Sequence, residues 1–389
     1  GGSLAYDPEH NLVFALKGNN TLEYYAYNCS TGLWSTRESI PFGPNRKRVK
    51  KGATLTYGDG MIYATKGNGT NEFWAYDVNL RTWSPRHELP AKVKGGATST
   101  FVPAYSRLYL AQGSNSQGFW AYYPDGDSWT LKAVFPLGMT NKRPKEGTCI
   151  AFDGAGTIYA LKGKTTEFFS YDVTSDVWTQ RKDIPKLNPQ TLKRKTVGDG
   201  GAMAFASGRV YVFKGNNLDD FWNFDPGPDS WSVDDSVFLG TLRKRVKAGA
   251  ALTEARGKIY ALKGNSTFEF YRYNADVPSG FTGFAHDKAN TFADEARRRL
   301  PFALGLAPNP FTAQARITYS LPEPGLVRLE LFDAAGRRTR CLFAGDRPAG
   351  IHSLCLDDPT LAAGVHFLRA SFATGQTRRQ LTVKFLVQH

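Results

Sequence analysis

The stretch that decides the fold is "IYALKGKTTEFFSYDVTSDVW", Ile158 to Trp178, because a close variant, "IYATKGNGTNEFWAYDVNLRTW", already stands at Ile62 to Trp83. With the glycine of the Lys-Gly step as anchor, the unit recurs at Gly18, Gly67, Gly113, Gly163, Gly215 and Gly264, so the period is near fifty residues. Such a period marks a repeat architecture, each unit burying its apolar face against its neighbours. Every copy reads as four short strands separated by turn residues: a small-residue strand such as "GATLTY", then "MIYATKG", then "EFWAYD", then a segment opening at a Trp, as in "TWSPRHELP". The last two keep strict register. Tyr27, Tyr76, Tyr122, Tyr171 and Phe224 each stand seven residues ahead of Trp34, Trp83, Trp129, Trp178 and Trp231.

The first strands, expected near residues 1–6, 52–57, 96–101, 147–152, 200–205 and 249–254, are dominated by Gly, Ala, Ser and Thr. Strands that converge on an axis have room only for small residues, which favours a ring of blades over a solenoid or extended array. Four strands per repeat, the period and the Tyr-Asp-x-x-x-x-x-Trp spacing resemble the kelch family of β-propellers over roughly residues 1–280. The fold class this implies is all-β: a six-bladed kelch-like β-propeller. Kelch repeats usually carry a double glycine after the second strand, where this chain has Lys-Gly-Asn or a variant, so it reads as a kelch-like relative. The sialidase-type outer turn, Ser-x-Asp-x-Gly-x-Thr-Trp, does not fit "YNCSTGLW" or "FDPGPDSW". In the sixth copy Gly280 stands where the Trp is due after Tyr273. Its outer strand is expected from sequence ahead of Gly1, from residues 281–292 or from a neighbouring molecule, since an unpaired third strand would be an open edge.

Composition changes after Lys288: the remainder holds a single lysine, Lys384, many arginines and no Trp. Residues 281–305 read as a linker and 306–389 as a small β-sandwich, from alternating runs such as "VRLELFD" and "VHFLRASF". Pro308-Asn309-Pro310-Phe311, "ITYSLPEPG", "LFDAAGRR", Ala349-Gly350-Ile351-His352 and Ala363-Gly364-Val365-His366-Phe367 follow in the order of the C-terminal sorting domain of type IX secretion cargo, which the segment resembles. The resemblance implies an immunoglobulin-like sandwich, export across the outer membrane of a Gram-negative bacterium, and an extracellular or surface location. The chain opens "GGSLAYD" with no apolar leader, so any secretion signal is expected to have been removed or left out, and no run is apolar and long enough to cross a bilayer as a helix. The sequence between Cys341 and Cys355 reads as strand, turn and return strand, which leads us to expect a disulfide between them; Cys29 and Cys149 are expected to be unpaired.

Two charge patterns recur. Lys17, Lys66, Lys162, Lys214 and Lys263 end the second strands, while Glu23, Glu72, Glu167, Asp220 and Glu269 open the third. In the third copy Gln112 and Gly118 replace both charges at once, which suggests ion pairs, with a ligand-facing ring as the alternative. The second pattern precedes the inner strands: Arg46, Lys47, Arg48, Lys50 and Lys51; Lys92 and Lys94; Lys142, Arg143 and Lys145; Lys193, Arg194 and Lys195; Arg243, Lys244, Arg245 and Lys247. In a four-stranded blade these links and the repeated lysines open on one face. Lys and Arg total 49 against 35 acids, a net charge of +14, so this basic face is expected to attract an anionic glycan, lipopolysaccharide or acidic protein surface. Nucleic acid is disfavoured because the clusters hold no aromatics for base stacking.

Some kelch-type propellers are copper oxidases or sugar-active enzymes. Here the histidines, His10, His87, His286, His352, His366 and His389, recur in no repeat and show no ligand spacing with cysteine, so we expect no metal or other cofactor and no catalysis. The leading expectation is a non-catalytic binder. Its alternatives are a structural subunit that assembles with copies of itself by strand addition and a sugar-active enzyme.

Overall fold

Strands make up nearly all the regular structure; a short helical turn at Pro103–Tyr105 is the one exception among the described residues. The computed structural model describes residues 1–389 apart from 235, 238, 241, 276–280, 284–301, 308, 313, 322–324, 348–349, 359–360, 375–377 and 389. Two units are present, Gly1–His286 and Asp287–His389.

In the first unit six antiparallel sheets of four strands follow one another along the chain, each pairing its strands in sequence order. The innermost strands are Ser3–Asp7, Ala53–Gly58, Thr98–Val102, Cys149–Phe152, Ala202–Ala206 and Ala251–Ala255. Each packs beside the inner strand of the next sheet, and Ala251–Ala255 packs beside Ser3–Asp7, closing a ring. Side-chain hydroxyls join neighbouring inner strands: the Leu55 amide donates to Ser3 Oγ at 2.8 Å, and the Thr56 and Ser99 hydroxyls lie 2.6 Å apart. Small polar residues at the axis thus supply cohesion where long side chains would collide. The anchor glycine has a related cause. Gly67 has φ +63°, and a Cβ there would drive into the Lys51 carbonyl of the link that enters the same sheet.

Aromatic residues fasten each sheet to the next. The seven-residue spacing places Tyr76 directly opposite Trp83 on adjacent strands, and the same holds for Tyr171 and Trp178. Onto each such pair packs the first aromatic of the preceding sheet's third strand: Tyr24 on Tyr76 and Trp83, Phe119 on Tyr171 and Trp178, Phe168 on Phe224 and Trp231. Phe270 of the sixth sheet packs likewise on Tyr27 and Trp34 of the first. These near-perpendicular contacts each contribute about 0.5–1.5 kcal/mol beyond area burial. The Trp indoles also donate backwards, Trp83 to the Glu38 carbonyl at 2.7 Å and Trp178 to that of Ala133 at 2.8 Å.

The sixth sheet is completed from within the chain. Phe281–Gly283 pairs with the third strand, with residue 281 opposite Tyr273. The rest of the expected filler, residues 284–292, lies outside the described residues, as does most of the linker.

Among its described residues the second unit has two antiparallel sheets. Ala303–Ala307, Gln314–Leu321 and Gly350–Asp357 form one; the other runs Arg338–Arg347, Gly325–Phe332, Gly364–Ala373, Arg378–Val387. Ile317, Tyr319, Leu329, Leu368 and Phe385 from both sheets share one buried cluster. This topology corrects the expected disulfide. Cys341 and Cys355 are free and exposed. Their strands do not form a hairpin: that of Cys341 pairs with Gly325–Phe332, that of Cys355 with Gln314–Leu321, so the connection between them passes from one sheet to the other.

Candidate functional site

The repeated lysines and acids are brought together at the same end of the ring, where each second strand finishes beside the entry of its inner strand. The Lys50 amide donates to the Lys66 carbonyl at 3.1 Å, and Gly198 does the same to Lys214 at 2.9 Å. Lys66 pairs with Glu72 and Lys162 with Glu167; Lys263 and Glu269 lie 2.5 Å apart, Lys17 and Glu23 2.6 Å. The pairs of the second, fourth and sixth sheets are buried, while Lys17 and Glu23 are partly open to solvent.

What the buried pairs hold is the link arriving from the preceding sheet. Lys66 Nζ donates to the carbonyls of Pro41, at 3.1 Å, and Phe42, at 2.6 Å, while Glu72 Oε1 accepts the Asn45 amide at 2.8 Å. Lys162 donates to the Leu137 carbonyl and Glu167 accepts the Thr140 amide at 2.8 Å; Lys263 donates to the Leu239 carbonyl at 2.6 Å. Each of these links turns at a glycine with positive φ, Gly43, Gly138 or Gly240, where a Cβ would lie within 2.7 Å of the acid's carboxylate. Burial pushes the Glu167 carboxyl up, but hydrogen bonds from Lys162 and Thr140 more than offset it, holding its pKa below the ordinary value. The pairs are therefore clamps on the links.

The fifth expected pair is a correction. Asp220, one methylene shorter than Glu, makes no ion pair with Lys214; the ammonium donates to the Pro185 carbonyl at 2.9 Å and lies 4.7 Å from the centre of the Trp222 ring. Burial pushes the Lys214 pKa down to about 8, against the opposing pull of Asp220. In the third sheet Gln112 Nε2 donates to the Lys92 carbonyl at 3.3 Å, taking over the lysine's contact with the link. Gly118 stands beside it, where a Cβ would lie 2.4 Å from Gln112 Oε1.

The basic links lie at this same end. Of the seventeen cations, all are exposed except Lys193, Lys244 and Arg245, which are half-buried. Valines interleaved with them turn inward: Val49, Val93 and Val246 are buried and bridge to Thr21, Thr70 and Leu218. The alternation projects the neighbouring cations outward. Sequence reasoning missed the acids that these cations meet. Lys51 and Lys164 pair with Asp199 at 3.2 and 3.4 Å, and Lys193 and Arg245 each lie 3.5 Å from Asp219. The face is thus basic, and partly neutralised at Asp199 and Asp219.

Along the axis the two ends differ. At the basic end the inner links leave a cavity of about 90 Å³, lined by glycines such as Gly52, Gly96 and Gly200; at the other end the inner strands open onto one of about 810 Å³. No cluster of three or more His, Cys, Asp or Glu residues suited to a metal occurs among the described residues. His10 pairs with Asp7 at 2.7 Å, and His366 contacts the Ala362 carbonyl at 2.8 Å. No helix among the described residues is long and apolar enough to cross a membrane.

No family model and no curated protein matches the chain. Among solved structures it is similar to YjhT, with 12% identity and a TM-score of 0.53 over 70% of this chain and 93% of that one. Looser matches are a copper-bound fungal alcohol oxidase of the AA5 family, at 14% identity and a TM-score of 0.45 over 99% and 96%, and a nidogen/laminin complex, at 10% and 0.44 over 59% and 77%. At these identities a likeness speaks to fold alone, and the last two are too loose to carry an argument. With the ring of small antiparallel sheets, the match to YjhT makes this an all-β protein of propeller-like fold.

Proposed function

We propose that the chain is a six-bladed kelch-like propeller joined to an immunoglobulin-like sorting domain of the type IX secretion kind. In this reading it is displayed outside a Gram-negative cell and binds, without catalysis, an anionic glycan, lipopolysaccharide or acidic protein through its basic links. The observation that carries the proposal is the segregation of charge: fourteen exposed cations project from repeat-spaced links at one end of the ring. Their overlapping potentials concentrate polyanions at that end. Such binding weakens steeply with salt, because the Debye length falls from about 10 Å at 0.1 M to about 3 Å at 1 M.

The test reverses Lys47, Lys50, Lys142 and Lys145 to glutamate and measures retention on immobilised heparin and on lipopolysaccharide vesicles at low salt. The expected outcome is loss of retention with circular dichroism unchanged; unaltered retention refutes the reading. The short outer strand of the sixth sheet, Phe281–Gly283, favours a second reading, a subunit that assembles by strand addition at that edge. Sedimentation in dilute solution separates the two, since a binder runs as a monomer near 43.0 kDa and a subunit as a polymer.

A further inference from the structure

The links at the basic end carry more than charge. Phe42, Met139, Leu192 and Leu242 stand in the links that enter the second, fourth, fifth and sixth sheets, and they are 44%, 89%, 75% and 58% exposed. Single exposed apolar side chains are ordinary on a protein surface. These four instead recur in one kind of link, and each is followed, with no acid between, by a basic cluster that begins at Arg46, Lys142, Lys193 or Arg243. Phe42 also has a cation directly beside it, the Arg48 guanidinium carbon lying 5.5 Å from the centre of its ring.

The backbone that presents these side chains is fixed. The Asn141 amide donates to the Gly138 carbonyl and the Arg243 amide to that of Gly240, both at 3.2 Å, so Met139 and Leu242 each occupy the middle of a hydrogen-bonded turn. Glu167 accepts the Thr140 amide, while Lys162, Lys263 and Lys66 hold the carbonyls of Leu137, Leu239 and Phe42. Leu192 belongs to a link of another shape, narrowed by a bridge between Leu187 and Arg194. There the Asn188 side chain accepts the amides of Gln190 and Thr191, and the Leu192 amide donates to the Asn188 carbonyl at 2.8 Å. The apolar side chains thus stand on ordered turns, and little backbone freedom remains to be lost when they meet a partner.

A polyanionic glycan has little to offer such side chains. A protein partner buries apolar residues in one continuous core, whereas these stand on the links of four different sheets. A fluid bilayer takes up separate apolar side chains one by one while its headgroups meet the cations, and the apolar area buried adds to the attraction of anionic lipid. We infer that the basic end docks on an anionic lipid bilayer, with Phe42, Met139, Leu192 and Leu242 entering the interface and the flanking cations on the headgroups. The inference rests on the basic-link reading of the function and names its partner.

The probes are vesicles of phosphatidylglycerol and phosphatidylcholine in equal parts, vesicles of phosphatidylcholine alone, immobilised heparin and immobilised polyglutamate. The full chain is expected to sediment with the mixed vesicles and not with phosphatidylcholine alone. The triple variant Met139→Ser, Leu192→Ser, Leu242→Ser is expected to bind the mixed vesicles about tenfold more weakly or worse, with heparin retention and circular dichroism unchanged. Raising salt to about 1 M is expected to abolish heparin retention and to leave the wild type a residual vesicle binding that the triple variant lacks. Vesicle binding by the triple variant equal to wild type, or equal binding of phosphatidylcholine alone, overturns the inference. Retention on polyglutamate that falls in step with the triple variant marks an acidic protein as the partner and also overturns it. Retention on heparin without binding to vesicles sinks the lipid partner alone, whereas loss of both sinks the basic-link reading with it.

Discussion

Because Lys66 and Glu72 are both buried, removing one strands the other's charge in the interior, whereas removing both in the manner of the third repeat leaves hydrogen-bonded neutral groups. Lys66→Gln alone is expected to destabilise the first unit by about 3–5 kcal/mol. The double variant Lys66→Gln, Glu72→Gly, which recreates Gln112 and Gly118, is expected to lose less, as urea denaturation of both proteins would read. Lys214 adds a pH dependence of definite sign. Its pKa is about 8 in the folded chain and 10.5 when free, so between those values the unfolded state holds more protons and stability rises with pH. Lys214→Met removes that increment, so the stability gap between wild type and variant shifts in favour of wild type from pH 7 to pH 10. Here the sequence was legible in part. Joint loss at Gln112 and Gly118 identified the partners, but the link carbonyls that the lysines reach and the link amides that the glutamates accept belong to residues far off in sequence and of no fixed type, and no side-chain pattern marks them.

Strands were legible wherever one spacing repeats. The interval from Tyr171 to Trp178 specifies a hairpin with those rings opposite each other, and the structure adds that the indole reaches back to Ala133 in the link that leaves the preceding sheet. Trp178→Phe keeps most of the ring contact with Phe119 and forfeits that hydrogen bond, leaving a carbonyl short of a donor. The expected cost is about 1–2 kcal/mol, read as a lower denaturation midpoint with unchanged slope. Where no repeat exists, pattern misled. Cys341 and Cys355 flank a Gly/Pro turn that looks like a hairpin, but sheet membership in a two-layer unit is decided by the core: Leu329 and Leu368 belong to one layer and Ile317 and Tyr319 to the other. Nothing local to the cysteines encodes that choice.

Closure of the first unit depends on contacts between residues almost the whole unit apart, above all Phe270 against Tyr27 and Trp34. Phe270→Ala is expected to destabilise that unit by about 3–5 kcal/mol, and limited proteolysis should then cut the first and sixth sheets together rather than the sixth alone. A change confined to the sixth sheet would count against a closed ring. The links carry a further regularity. Those entering the second, fourth and sixth sheets turn at Gly43, Gly138 and Gly240 and meet a Lys and Glu pair, whereas those entering the third and fifth meet Gln112 with Gly118 and Lys214 with Asp220. Counted by link, the first unit carries three like arms, two sheets apart around the ring, while Lys17 with Glu23, Gln112 with Gly118 and Lys214 with Asp220 make the intervening sheets unlike one another. A partner with trigonal symmetry would meet all three arms at once.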